Sequence, residues 1–313
     1  MEYVTLGRTG QTVSRLGLGC GGPSRLGHAA GLDADDRVAI VIRALELGVT
    51  HIDTARSYGT EEIVARAIDE VRPNDLFIST KSSAYLDDRR VLTPGELAGR
   101  IEQSLRALGV NAIDLFHLHG VLPSQYASAR DILVPELIRQ RKKGNIRFFG
   151  VTERFNADPG HAMLSQAMND DCWDVIMVGF NPLNQSARDR VLAPARAKNI
   201  GVQAMFVVRK AFSIPERLRE VLAGLIEAGR IDGDEIDMSD PLGFLVKGGA
   251  AESLPDAAYR FCRDEAGIDV VLSGTGRVEH LEANIASITA PSLPGDLHQR
   301  LVGIFDGVDS VTA

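Results

Sequence analysis

Cysteine is scarce in this 313-residue chain: Cys20, Cys172 and Cys262 are far apart and odd in number. No C-x-x-C pair occurs, so neither a disulfide framework nor a zinc knuckle is indicated, and three reduced thiols are expected. Positive charge is also short, with 34 Lys plus Arg against 42 Asp plus Glu and a net charge of −8. That sign argues against a general nucleic-acid or anionic-membrane binder, because phosphate attracts positive surface. No apolar run approaches the roughly 20 residues that span a bilayer. The opening residues Met1-Glu2-Tyr3-Val4-Thr5 carry neither a basic nor an apolar stretch. A secretory signal is therefore not read, and a cytoplasmic protein is expected. Low-complexity segments and Ser/Gly/Pro linkers are missing as well, which predicts one domain over residues 1–313.

What the chain does have is alternation. Short apolar, β-branched runs end in polar residues or glycine, and longer stretches of helical period follow them. Residues 3–6 and 12–14 bracket Gly7-Arg8-Thr9-Gly10, predicting a hairpin over 3–14. Buried strands are expected at Leu16–Cys20, Thr50–Asp53, Leu76–Thr80, Ile113–Leu118, Ile146–Val151, Val175–Val178, Gly201–Phe206 and Val270–Ser273. Helices separate them. One runs from Asp33, an N-cap residue, to Leu47, another starts at Thr93-Pro94 and stops at Gly109, and a third covers Ser186–Lys198. The segment 213–250 breaks the rhythm as an insertion, and its acidic stretch Asp232–Asp240 reads as a solvated loop. A helix within 294–306 closes the chain. Eight strand–helix units predict an α/β fold, a (β/α)8 TIM barrel over 15–290 with an N-terminal β-hairpin and extra C-terminal helices. A doubly wound sheet would place a Gly-x-Gly-x-x-Gly directly before a helix. Here the glycines of Gly17–Gly22 are followed by a helix only at Asp33.

In such a barrel the functional groups sit at the C-terminal ends of the strands. The second strand ends in Asp53, the third leads into Lys81, the fourth leads into His119, and Tyr58 lies in the loop after Asp53. Three neighbouring strands thus bring a carboxylate, an ammonium and an imidazole to one rim, with a phenol beside them. A phenol of pKa near 10 is a poor proton donor at neutral pH unless its anion is stabilised, and a nearby ammonium does that. The set suits protonation of an oxygen as hydride reaches its carbon. His117 and His119 form an H-x-H pair facing one way, as in metal-dependent barrels. Such a metal site needs further ligands at later strand ends, and none of the remaining histidines ends strands five to eight, so no metal is expected.

These residues carry a resemblance. His51-Ile52-Asp53-Thr54-Ala55-Arg56-Ser57-Tyr58-Gly59, Ile78-Ser79-Thr80-Lys81 and Asp114-Leu115-Phe116-His117-Leu118-His119 resemble the aldo-keto reductases. So do Gly144–Thr152 and the segment Ser273-Gly274-Thr275-Gly276-Arg277-Val278-Glu279-His280-Leu281-Glu282-Ala283-Asn284. The resemblance implies that Tyr58 is the general acid, or base in the oxidative direction, that Lys81 and Asp53 tune it, and that His119 orients the carbonyl. It implies a nicotinamide cofactor, with NADP(H) favoured and NAD(H) the alternative. Thr152 aligns with a carboxamide-binding position and Asn284 with an adenine contact. Gly274, Thr275, Gly276 and His280 align near the adenosine phosphates, and Gly21 and Gly22 near the nicotinamide. The chain departs from the family pattern at Glu153, where Asn is usual, and at Met177, where Gln is usual. The aromatic that ends strand seven falls to Phe206, or Val207 replaces it. Arg209 and Lys210, or Arg277, supply positive charge for the cofactor phosphates. The implied partner is a small-molecule carbonyl or alcohol, an aldehyde, ketone or sugar. A reading of another class is a nicotinamide-binding sensor or auxiliary subunit without turnover; the complete tetrad argues against it, and Glu153 and Met177 argue for it.

Overall fold

The computed structural model describes residues 1–312. Strands β1 (Tyr3–Thr5) and β2 (Thr12–Ser14) form an antiparallel hairpin. Eight parallel strands follow: β3 (Leu16–Gly19), β4 (His51–Asp53), β5 (Phe77–Ser83), β6 (Ile113–Val121), β7 (Ile146–Glu153), β8 (Val175–Gly179), β9 (Gly201–Met205) and β10 (Val270–Ser273). They pair in chain order, and β10 closes the barrel onto β3. Around them run α1 (Ala34–Glu46), α2 (Glu61–Val71), α3 (Pro94–Leu108), α4 (Tyr126–Lys142), α5 (Ala162–Ala167), α6 (Ala193–Ala197), α7 (Lys210–Ser213), α8 (Pro215–Glu227), α9 (Leu254–Arg263), α10 (Val278–Thr289) and α11 (Gly295–Ile304). Helix starts follow local chemistry. Asp33 accepts from the Asp35 and Asp36 amides, and Thr93 with Glu96 forms a reciprocal capping box. No helix among the described residues is long and apolar enough to cross a membrane.

Two differences from the sequence pattern bear on the site. Strands β5 and β6 extend beyond Thr80 and Leu118, because Lys81 pairs with His117 and Ser83 with His119 in the parallel ladder. Lys81 and His119 are therefore residues of the barrel wall rather than of loops. The helical pattern over Ser186–Lys198 resolves into a π-type turn at Arg188–Leu192 running into α6. Pro194 explains the break, since it has no N–H to close the next α-helical bond.

The bore of the barrel is filled in layers. At the hairpin end, Leu6 and Val13 plug an apolar floor made by Phe77, Leu115, Val175 and Val270. Above it the filling is polar. Gln203 spans the bore, with Oε1 2.9 Å from His117 Nε2 and Nε2 2.8 Å from His51 Nε2. Burial, helped by the charge of Lys81, holds His51 down at about 3 and His117 well below the ordinary histidine value. Both imidazoles are consequently neutral in the folded protein. Trp173 and Tyr126 are core residues joined by an Nε1–H to Oη bond of 2.9 Å.

A depressed histidine pKa makes stability pH-dependent. The unfolded chain takes up protons on these imidazoles below about pH 6.5, and the folded chain does not until much lower pH. The contribution is therefore complete above pH 6.5 and is lost as pH falls toward 3. His51→Asn should make the decline in melting temperature between pH 7 and pH 4 shallower, measured by thermal unfolding; parallel curves for both proteins would refute the assignment.

Candidate active site

The next layer up holds Asp53 from β4 and Lys81 from β5. Lys81 is 1% exposed and Asp53 4% exposed. Lys81 Nζ lies 2.6 and 2.5 Å from the two Asp53 carboxylate oxygens and donates to the Thr54 carbonyl at 2.9 Å. Ser79 Oγ donates to Asp53 Oδ1 at 2.7 Å. A buried charge pair persists when its remaining hydrogen-bonding capacity is also filled, as it is here. Burial by itself would lower the ammonium, but Asp53, with Tyr58 and Cys20 adding to it, more than offsets this, and Lys81 is held above its ordinary value.

Tyr58 reaches this pair through a 3-10 turn, Arg56–Tyr58. Gly59 ends the turn with φ +66°, where its N–H meets the Arg56 carbonyl; a side chain there would be strained. Thr54 and Thr60, both fully buried, share a 2.7 Å hydroxyl hydrogen bond that ties the two ends of the loop together. The Tyr58 ring rests on Gly21, where an added Cβ would lie 2.3 Å from Cε2. Lys81 Nζ sits 5.2 Å from the ring centroid, and Tyr58 Oη lies 3.3 Å from His119 Nε2. Burial pushes the phenol up; the Lys81 ammonium opposes this and the Asp53 carboxylate adds to it, leaving Tyr58 above its ordinary value. Lys81 lowers the phenol as the sequence suggests, but burial dominates. His119 is held at about 3 by burial, then by Lys81 and Arg154, so its ring is neutral. The four residues Asp53, Tyr58, Lys81 and His119 are thus one contiguous group.

The remaining expected residues lie at the ends of β7 and β8, in the loops after β3, β9 and β10, and on α10. The Thr152 hydroxyl accepts from the Gly120 N–H at 2.8 Å. Met177 is buried beside it, paired in register with Thr152 and Gln203. Glu153 turns inward: its carboxylate lies 3.0 Å from His161 Nδ1 and accepts from the Gly179 N–H at 2.7 Å. Burial raises Glu153, with His161 opposing. Phe206 is half-buried with φ +65°, its ring edge-on to Phe155 and 4.2 Å from the Arg209 guanidinium. Val207 is instead a core side chain. Arg209 is lowered by burial, and Lys210 is exposed. Gly274 and Gly276 pack under the loop after β3, with Cβ positions 3.1 Å from the Gly19 carbonyl and 2.7 Å from Gly27 Cα. Gly22 has φ +68° and nothing within 4 Å of its Cβ position, so its backbone is open to a ligand. Thr275 accepts from the Arg277 N–H, and Arg277 gives α10 no side-chain cap. The first N–H groups of α10 are therefore free for an anion. His280 is exposed, and Asn284 Nδ2 is held by Ser273 Oγ at 2.9 Å. This rim fits a dinucleotide: open backbone at Gly22, free amides and Arg277 at one end, and an aromatic face at Phe206.

Beneath the tetrad, sequence reasoning picked out His117 as facing the same way as His119 but missed His51 and Ser79. His51, Ser79 and His117 each lie two positions before Asp53, Lys81 and His119. Period-2 alternation points such pairs to the same side of the sheet, one layer lower, and was the available signal. Gln203, the Glu153–His161 pair and the Thr80-to-Glu61 hydrogen bond of 2.7 Å left no comparable trace. Among the described residues no group of three or more His, Cys, Asp or Glu is arranged to hold a metal ion.

A parallel barrel with this rim belongs to a definite class. The profile of the Aldo/keto reductase family matches residues 15–304, and the chain belongs to that family. It is an NAD(P)H-dependent oxidoreductase. It is 22% identical to the NADH-specific methylglyoxal reductase of Escherichia coli, over 92% of this chain and 94% of the relative. It is 26% identical to aldo-keto reductase YhdN of Bacillus subtilis, over 94% and 90%. Among solved structures it resembles aldo-keto reductase AKR11C1 of Bacillus halodurans in its holo form, at TM-score 0.72, 18% identity and 97% and 96% coverage. It also resembles an aldo/keto reductase of Klebsiella pneumoniae in complex with NADP and acetate, at TM-score 0.68, 20% identity and 97% and 95% coverage.

Removing one member of the buried pair leaves the other uncompensated. Asp53→Asn should destabilise the fold by about 3–5 kcal/mol in urea unfolding, and the Asp53→Asn/Lys81→Met double variant should recover much of the loss. A double variant no more stable than the single one would show that the unpaired Lys81 charge is not the source of the loss.

Proposed function

We propose that this chain reduces an aldehyde or ketone to the alcohol with NAD(P)H, or runs the reverse oxidation, with Tyr58 as general acid or base. The observation that carries the reading is the placing of Tyr58 Oη 3.3 Å from His119 Nε2 above the buried Lys81–Asp53 pair. A carbonyl oxygen between them accepts from both the phenol and the Nε2–H of a neutral His119. Reduced nicotinamide, when bound, supplies the hydride for the carbonyl carbon. Tyr58 keeps its proton throughout the neutral range and gives it to the carbonyl oxygen. Lys81 stabilises the phenolate left behind, and Asp53 keeps Lys81 charged and oriented.

For the cofactor, Gly274, Thr275, Gly276 and the free amides of α10 would hold phosphate, with His280 beside them and Asn284 available to the adenine. Phe206 rather than Val207 would offer a face to the nicotinamide, Thr152 would serve its carboxamide, and Met177 would give an apolar contact in place of an amide. Gly21 and Gly22 keep side chains out of the approach. Arg277, Arg209 and Lys210 supply the charge that favours NADP(H) over NAD(H). One relative is described as NADH-specific and one solved structure holds NADP, so the family accommodates both cofactors and the choice rests on these cations.

Tyr58→Phe should lower turnover about a hundredfold to ten-thousandfold with cofactor affinity nearly unchanged. Because Tyr58 is raised, the wild-type oxidative rate should still be climbing at alkaline pH as phenolate forms; equal rates for the variant, or a flat oxidative profile, would remove Tyr58 from this role. Titration of reduced-nicotinamide fluorescence should show binding of NADPH and NADH, with Arg277→Ala weakening NADPH about tenfold more than NADH. Equal weakening would move Arg277 to the pyrophosphate, and failure of a folded sample to bind either cofactor would withdraw the reductase reading.

A further inference from the structure

Arg154 stands at the rim without a partner. It follows Glu153 at the end of β7, and its side chain is exposed. Its neighbour is Gly120, one residue past His119, whose Cβ position lies 3.8 Å from Arg154 Nε. The Gly120 N–H bond to Thr152 Oγ1 clamps the ends of β6 and β7 together where Arg154 leaves the wall. The backbone there is a tight turn, with the Arg154 carbonyl accepting from the Ala157 and Asp158 amides. The turn fixes the backbone from which the Arg154 side chain leaves, with Nε near Gly120 and its charge close enough to act on His119.

The acids nearest in sequence do not neutralise it. Glu153 is directed inward to His161 and the Gly179 amide. Asp158 is occupied by the Ala162 and Met163 amides at 3.0 and 2.8 Å, at the start of α5. Phe155, between them, is buried. Arg154 makes no ion pair or side-chain hydrogen bond among the described residues, in a chain where 42 acids outnumber 34 bases. It is also set apart from the free amides of α10, which follow β10, three strands farther round the barrel from β7. A cofactor phosphate on that side does not account for it.

We infer that Arg154 binds an anionic group of the substrate, so that the enzyme prefers carbonyl compounds carrying a carboxylate or phosphate a few bonds from the carbonyl. The inference rests on the reading of Tyr58 and His119 as the carbonyl site. The forked donors of arginine match the paired oxygens of either anion. Glu153 contributes by facing away; an acid turned outward at this position would cancel the guanidinium.

The test is a comparison of kcat/KM for two matched pairs at saturating reduced cofactor: 4-oxobutanoate against butanal, and glyceraldehyde 3-phosphate against glyceraldehyde. The wild-type enzyme should favour the charged member of at least one pair about tenfold or more, and which pair responds separates carboxylate from phosphate. Arg154→Gln should abolish that preference through KM for the charged member, leaving the neutral member and the cofactor KM unchanged. Arg154→Lys should retain part of it, and added salt should weaken it in the wild type. Turnover without a charge preference, or equal losses on charged and neutral members in Arg154→Gln, overturns the inference and leaves the reductase reading standing. No turnover of any of the four with either cofactor overturns both.

Discussion

The buried Lys81–Asp53 ion pair is the constraint around which the site is arranged. Two charges in the bore of a barrel persist only if each finds its full set of partners. Here the backbone carbonyl of Thr54 and the hydroxyl of Ser79 complete them. The loop that supplies the Thr54 carbonyl also carries Tyr58, so satisfying the ammonium and placing the phenol are one structural act. The same charge acts on the imidazoles nearby. His51, His117 and His119 are all lowered, first by burial and then by Lys81. The protein thereby keeps one fixed cation and three neutral rings in a small volume, and a neutral His119 can donate to a carbonyl oxygen without competing for the proton of Tyr58.

Most of the polar layer beneath the tetrad is support for it. The chain from His117 through Gln203 to His51 crosses the bore at the level where an apolar barrel would have branched aliphatic side chains. His51 Nε2 lies 3.4 Å from Ser79 Oγ, which in turn holds Asp53. Polar filling at this depth is tolerated because nearly every atom is paired, although His51 Nδ1 and His117 Nδ1 have no partner. One of the two Nδ1 atoms must carry a proton, since the amide of Gln203 donates on one side and accepts on the other. The layer thus gives up some hydrogen bonding to fix the geometry above it.

The rim is asymmetric, and its two sides have different chemistry. On the side of β10 and β3, glycines bring loops into close contact and leave free amides with Arg277. On the side of β6 and β7, Thr152 joins the strand ends, Glu153 and His161 are buried as a pair, and Arg154 remains exposed and unpaired. His161 stacks on Phe155 at 5.3 Å, and Phe155 meets Phe206 edge-on at 5.4 Å. The inward turn of Glu153 therefore both supports the aromatic face and removes a negative charge from the mouth.

The alternation of strands and helices, and the residues toward the ends of strands two to four, were legible in the sequence by itself. They depend on local periodicity and on the topological rule that places a barrel's functional groups at one end of its strands. The same period-2 rule held His51, Ser79 and His117 in view, one layer below. What only the tertiary structure decided depends on contacts between distant segments. Gln203 meets His51 and His117 across the bore at separations no pattern records. The inward turn of Glu153 follows from His161 adopting a left-handed backbone at φ +61° and from the Gly179 amide on the next strand. The net rise of the Tyr58 pKa could not be read from Lys81 alone, because desolvation is a property of everything packed around the phenol. Sequence determines which charges are present and in what order, and tertiary packing determines how much water each of them loses.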